Sequence, residues 1–156
     1  MNLFTKYLTL DRVITPLRVG DKEAALREMS VLVAGNDLSA GEVLRGMLHR
    51  EEEITTGVGY GIAIPHYRHE GKLKLRIALG VPVHPLQWES FDNRPVRLIF
   101  AILGSSEEKQ EMLKLFSQLM GYLRNSELRQ RLIDAPDPEA LFQILEAITP
   151  GADPTP

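Results

Sequence analysis

The chain has 156 residues, 44% of them hydrophobic, and a formal net charge of -3 with acidic and basic residues interspersed. That length suits one domain with a sizeable core, and the near-balanced charge argues against nucleic acid or an anionic membrane as the main partner. Cysteine is absent, which excludes disulfides and thiolate metal sites. Met1–Lys6 lacks a signal-peptide pattern and no apolar run is long enough to cross a bilayer, so the expectation is a cytoplasmic protein with no direct membrane insertion.

In chain order, Val13-Ile14 reads as a short edge strand ended by Pro16. A helix follows from Asp21, with Ala25, Met29, Leu32 and Val33 at helical spacing and Gly35 as its stop. Ser39 and Glu42 have the spacing of a capping box, opening a helix that turns Val43, Leu44, Met47 and Leu48 inward and ends near His49-Arg50. A glycine-rich turn leads into a short apolar strand, Ile62-Ala63-Ile64, which stops at Pro65 with His66 next. Leu73, Leu75, Ile77, Leu79, Val81 and Val83 alternate, predicting a long strand with one apolar face, and Pro82 places its end at a sheet edge or off the ladder. Asp92-Asn93 is a turn, and Val96 to Leu103 reads as a central strand buried on both faces.

Ser105 and Glu108 form a second capping-box pattern before the longest helix, whose stripe is Met112, Leu115, Phe116, Leu119, Met120 and Leu123. Ser126 caps a short helix with Leu128, Leu132 and Ile133, and Asp137-Pro138 opens a last one through Leu141, Ile144, Leu145 and Ile148. Residues 149–156 hold three prolines and no bulky apolar group, so they read as a disordered tail. The fold expected is α/β, a single-domain sandwich over residues 1–148 with a mixed β-sheet flanked by helices.

A short buried strand that ends in one imidazole is a way for α/β proteins to present a reactive group. Gly57, Gly59 and Gly61 alternate just before it, so backbone can approach backbone or an anion closely. From chain grammar alone His66 is either a hydrogen-bonded packing residue or a functional one. Its imidazole is largely neutral at pH 7, which leaves a lone pair for attack on phosphorus, and it makes phosphohistidine a good donor because imidazole leaves readily once protonated.

The stretch Arg50-Glu51 followed by Thr-Gly-Val-Gly-Tyr-Gly-Ile-Ala-Ile-Pro-His at 56–66 resembles the phosphorylation-site signature of type-2 enzyme IIA domains of the bacterial phosphotransferase system, the fructose/mannitol and nitrogen-regulatory IIA proteins. The resemblance extends from about Leu8 to Ile148. It implies a phosphohistidine carrier that accepts a phosphoryl group on His66 from an HPr-like protein. The group then passes to a IIB component, or serves as a signal to a kinase or transporter target. The other reading is a regulatory protein-binding module of the same fold with transfer weakened or lost.

Arg50 matches the arginine that precedes the active histidine in that family. A guanidinium fits phosphoryl oxygens in a bidentate fork, although Arg50 also suits a helix C-terminus or a pair with Glu51 to Glu53. Arg68 is either a second phosphoryl cation or a solvated residue. Thr56 either donates to the phosphoryl group or simply belongs to a strand, and Gly61 is a candidate for close backbone approach. Two positions depart from the family. Tyr67 stands where a small residue is usual, and it can narrow access or meet a partner. Glu111 takes the place expected for a second histidine facing the first, where it would accept a bond from the imidazole and repel a phosphoryl dianion; the alternative is a solvated helix residue.

No metal or cofactor is expected. His66 and His69 with Glu70 could suggest a metal site, but i, i+3 spacing aligns ligands only on a helix, this stretch follows proline in a loop, and no further ligand is at hand. No Gly-x-x-x-x-Gly-Lys-Ser/Thr is present for a nucleotide. His49 and His84 read as surface residues, and Trp88 and Phe91 as core or partner anchors.

Overall fold

The computed structural model describes residues 2–149, so most of the expected tail lies outside the described residues. Six strands form one mixed sheet: β1 (Val13–Leu17), β2 (Gly57–Gly59), β3 (Ile62–Ala63), β4 (His66–His69), β5 (Arg76–Pro82) and β6 (Leu98–Ser105). The order is β1-β5-β6-β3-β2, with β4 also paired to β6. Six α-helices accompany it: α1 (Leu3–Tyr7), α2 (Lys22–Ala34), α3 (Ala40–Glu53), α4 (Lys109–Leu123), α5 (Ser126–Asp134) and α6 (Pro138–Glu146).

The sheet separates two cores. Side chains alternate across a strand, so Leu98, Phe100 and Ile102 of β6 meet Leu115, Leu119, Leu132, Leu141 and Leu145, while Ile99, Ala101 and Leu103 meet Met29, Val33, Val43 and Met47. β5 departs from the expectation of one apolar face, because it is buried throughout. Ile77, Leu79 and Val81 fill the first core, and the residues between them are small enough for α2 to close on the other side. A Cβ at Gly80 would lie only 2.7 Å from the Met29 sulfur. β1 runs through Pro16 to Leu17 rather than stopping at the proline; as an edge strand it can turn an exposed proline outward without losing a ladder bond.

The helix ends follow side-chain chemistry. Asp21, Ser39 and Asp137 cap α2, α3 and α6 by accepting backbone N–H groups. Gly35, at φ 56°, ends α2. Asn125, not Ser126, is the cap of α5, its Oδ1 accepting from Leu128 at 3.1 Å. α3 continues past the expected end at Arg50 to Glu53. α1 has no counterpart in the sequence reading. It is held by Asn2, whose Oδ1 caps α1 at Thr5 and whose Nδ2 donates to the carbonyls of Leu145, in the last turn of α6, and Ile148, just past it, both at 2.8 Å.

Candidate functional site

β3 and β4 are two short pieces of one parallel run along β6, with Ile62 opposite Leu98 and His66 opposite Ile102. Pro65 breaks the run, because it has no N–H to give, although its carbonyl still accepts from Ile102 at 2.9 Å. His66 is therefore the first residue of a strand, not of a loop. Upstream, Gly57–Gly59 pairs antiparallel with β3. The hairpin turns through Tyr60 and Gly61, at φ 60° and 76°, the left-handed pair that a tight two-residue turn requires.

The His66 ring is held at both nitrogens. Nδ1 lies 3.0 Å from the Ile64 carbonyl, and the Arg50 Nε–H points at Nε2 from 3.2 Å. A carbonyl only accepts, so the proton is assigned to Nδ1 and the Nε2 lone pair receives the arginine bond. Phe116 of α4 meets the ring edge-on, with centroids 4.8 Å apart and an 82° interplanar angle. Burial lowers the pKa of His66; Arg50 and Arg68 push the same way, against the Ile64 bond and Glu51. The ring is thus kept neutral and nucleophilic.

Around Nε2 lies a cavity of about 390 Å³ between α3, β4 and α4. Arg50, His49 and Glu53 enter from α3, His66 and Arg68 from β4, and Lys109, Met112, Leu113 and Phe116 from α4. The last four follow i, i+3, i+4, i+7 spacing and so define one helix face. Arg50 is fixed by a bond from Nη1 to the Ile54 carbonyl at 2.8 Å, so it serves the end of α3 and the imidazole together. His49, read as a surface residue, lines this cavity and pairs with Glu53 at 3.0 Å.

Three predicted site residues are placed differently. Glu111 does not face His66. It accepts from the Tyr7 hydroxyl at 2.8 Å and lines a separate cavity with Lys6 and Lys72. A single residue rotates a helix position by roughly 100°, and the α4 side chains over His66 are its neighbours Lys109 and Met112. The Thr56 hydroxyl is committed to the buried Glu51 carboxylate rather than to the cavity. Gly61 shapes the hairpin turn, its carbonyl accepting from Arg97 and Leu98, away from the cavity. Tyr67 lies across Gly46 of α3 and donates to Glu42 at 2.9 Å, beside a 2.6 Å contact between Glu42 and His69. Its ring packs on the protein's own helix, and Tyr67 and Gly46 also line the cavity beside His66. Glu42, expected to close a capping box with Ser39, is engaged with these β4 side chains. Among the described residues no group of three His, Asp or Glu side chains could hold a metal ion.

Glu51 is the functional support that sequence reasoning missed. Its carboxylate accepts from the Thr56 backbone at 3.1 Å and from Trp88 Nε1 at 3.1 Å, and it pairs with Lys22 at 2.7 Å. Burial alone would raise its pKa; the bonds from Lys22 and Thr56 outweigh that and lower it. The signal was present in the sequence, since a glutamate near a helix C-terminus opposes the dipole and needs another reason to be there.

The chain is similar to known proteins over most of its length. Over 155 residues the chain is 31% identical to the nitrogen regulatory protein of Pseudomonas aeruginosa, covering 92% of this chain and 99% of that one. It is 32% identical over 149 residues to the nitrogen regulatory protein of Bradyrhizobium diazoefficiens, covering 90% and 93%. The crystal structure of nitrogen regulatory protein IIA-Ntr from Neisseria meningitidis superposes with a TM-score of 0.85 at 30% identity, covering 92% of this chain and 99% of that one. The family profile for the phosphoenolpyruvate-dependent sugar phosphotransferase system, EIIA 2, matches residues 6–148, and the chain belongs to that family.

Proposed function

We propose that this chain is a phosphohistidine carrier whose acceptor atom is His66 Nε2. The observation that carries this is the division of labour on the ring, with Nδ1–H spent on Ile64 and Nε2 left with its lone pair in a cationic cavity. The donor is an HPr-like phosphohistidine protein. Nε2 attacks phosphorus, the donor's P–N bond breaks and its electron pair returns to the donor imidazole. The proton stays on Nδ1, where the Ile64 carbonyl supports the charge that the ring gains. Arg50 turns its guanidinium from Nε2 to the phosphoryl oxygens, and Arg68 joins it. Such transfer asks a protein mainly for positioning and charge stabilisation. Onward transfer to a IIB component reverses these steps and needs no cofactor.

Incubating the cytoplasmic carrier with phosphoenolpyruvate, enzyme I and HPr tests the reading. The expected product is an acid-labile, alkali-stable phosphate that disappears in His66→Ala; no label in the unaltered protein would overturn it. A second reading has the phosphorylation state of His66 acting as a signal to a kinase or transporter target. The names of the two nitrogen regulatory relatives, each matched over nearly its whole length, favour it. Retained binding to such a target with no chemical label would leave only a docking module.

A further inference from the structure

We infer that Lys109 is a phosphoryl ligand, holding an oxygen of the group carried on His66 from the α4 side of the cavity; this rests on the carrier reading above. Arg50 and Arg68 approach from α3 and β4, and α4 brings Lys109 as its only cation on the face that also carries Met112, Leu113 and Phe116. Two observations set Lys109 apart from an ordinary solvated lysine. It is the first residue of α4, where a positive charge opposes the helix dipole. It also makes no ion pair within 4.0 Å among the described residues, despite Glu107, Glu108 and Glu111 beside it in sequence. Glu111 is instead engaged by the Tyr7 hydroxyl, and the ammonium is left for the cavity. The α4 face over His66 has no second histidine, and Lys109 is the group there able to donate to a phosphoryl oxygen. Its charge offsets that of Glu53 across the cavity, leaving Arg50 and Arg68 to balance the dianion.

The test is phosphorus NMR of the phosphorylated protein with a pH titration, plus the equilibrium constant for exchange with HPr. A nearby cation favours the dianion, so Lys109→Gln should raise the midpoint of the phosphoryl ionisation by about half to one pH unit. It should also shift the exchange equilibrium about threefold to tenfold toward HPr. Lys109→Arg should keep both near their original values, and Lys114→Gln, an exposed α4 change outside the cavity, should move neither. The unphosphorylated Lys109→Gln protein should melt no lower than the original, because the charge it removes opposes the α4 dipole. An unmoved titration in Lys109→Gln, or an equal movement in Lys114→Gln, overturns the assignment. Should the unaltered protein take no phosphoryl group at all, the carrier reading fails, and inorganic phosphate decides the ligand separately. A His66 ring response to phosphate that weakens in Lys109→Gln supports Lys109, and an equal response in both, or none in either, overturns it.

Discussion

The two faces of β4 each carry one histidine, in opposite states. On one face His66 and Arg68 border an open cavity with Arg50 and Lys109 around it. On the other, Tyr67 and His69 converge on the single carboxylate of Glu42. Successive side chains of a strand point to opposite sides, so His66 and Arg68 share one face while Tyr67 and His69 are anchored on Glu42, with Tyr67 also lining the cavity. The anchored side fixes β4 against α3, the helix that carries Arg50. The separation of Arg50 and His66 is therefore set partly by the Tyr67, His69 and Glu42 contacts behind it.

The largest effect should come from breaking the anchor. A Cβ at Gly46 would fall 2.0 Å from the Tyr67 ring, so Gly46→Ala should destabilise the fold by about 1–3 kcal/mol through overpacking, despite alanine's better helix propensity. The paired change Gly46→Ala with Tyr67→Gly removes the clash but also the Tyr67–Glu42 bond, so its cost should be smaller than the sum of the two single changes. Thermal unfolding reads both, and a Gly46→Ala melting temperature at or above the original would show that the ring yields freely. The pair also accounts for the departure at residue 67. A tyrosine after Pro-His is accommodated because α3 carries a glycine directly beneath it.

An intermediate effect is expected on the reactive face. Burial lowers the His66 pKa first, and Arg50 lowers it further, so Arg50→Gln should move the imidazole titration upward while leaving it below an ordinary histidine. For a histidine with a depressed folded pKa, the unfolded chain binds more protons as pH falls through the ordinary value, so stability drops in that window. Arg50→Gln should make that acid-side loss shallower. Proton NMR of the His66 ring against pH measures the first, and melting temperatures across the same range the second; a downward movement of the midpoint would contradict the assigned contact.

Much of this was legible in the chain. Caps at Asp21, Ser39 and Asp137 are local signals, and the continuous apolar run of β6 marks a strand buried on both faces. What escaped was long-range or depended on exact phase. Asn2 joins the start of α1 to carbonyls at the C-terminal end of α6, a contact spanning 143 positions in sequence for Leu145, which no local pattern reveals. Glu51 gathers Lys22, Thr56 and Trp88 from three segments. At the site, the motif marked His66 and Arg50, which the structure brings within 3.2 Å. The facing helix was identified correctly but read one residue out of phase, which is enough to exchange Met112 for Glu111.

That phase error supplies the smallest predicted effect. A histidine at residue 111 would sit where Glu111 now bonds Tyr7, facing the cavity of Lys6 and Lys72 rather than that of His66. Glu111→His should therefore leave the phosphohistidine lifetime and the His66 titration unchanged. Its cost should be confined to one half-exposed hydrogen bond, about 0.5–1 kcal/mol. The Tyr7 hydroxyl, whose pKa is raised by burial and by Glu111, should titrate at a lower pH in the variant. A longer phosphohistidine lifetime in Glu111→His would mean that residue 111 does reach the phosphoryl group, and that α4 turns on its axis when His66 is loaded.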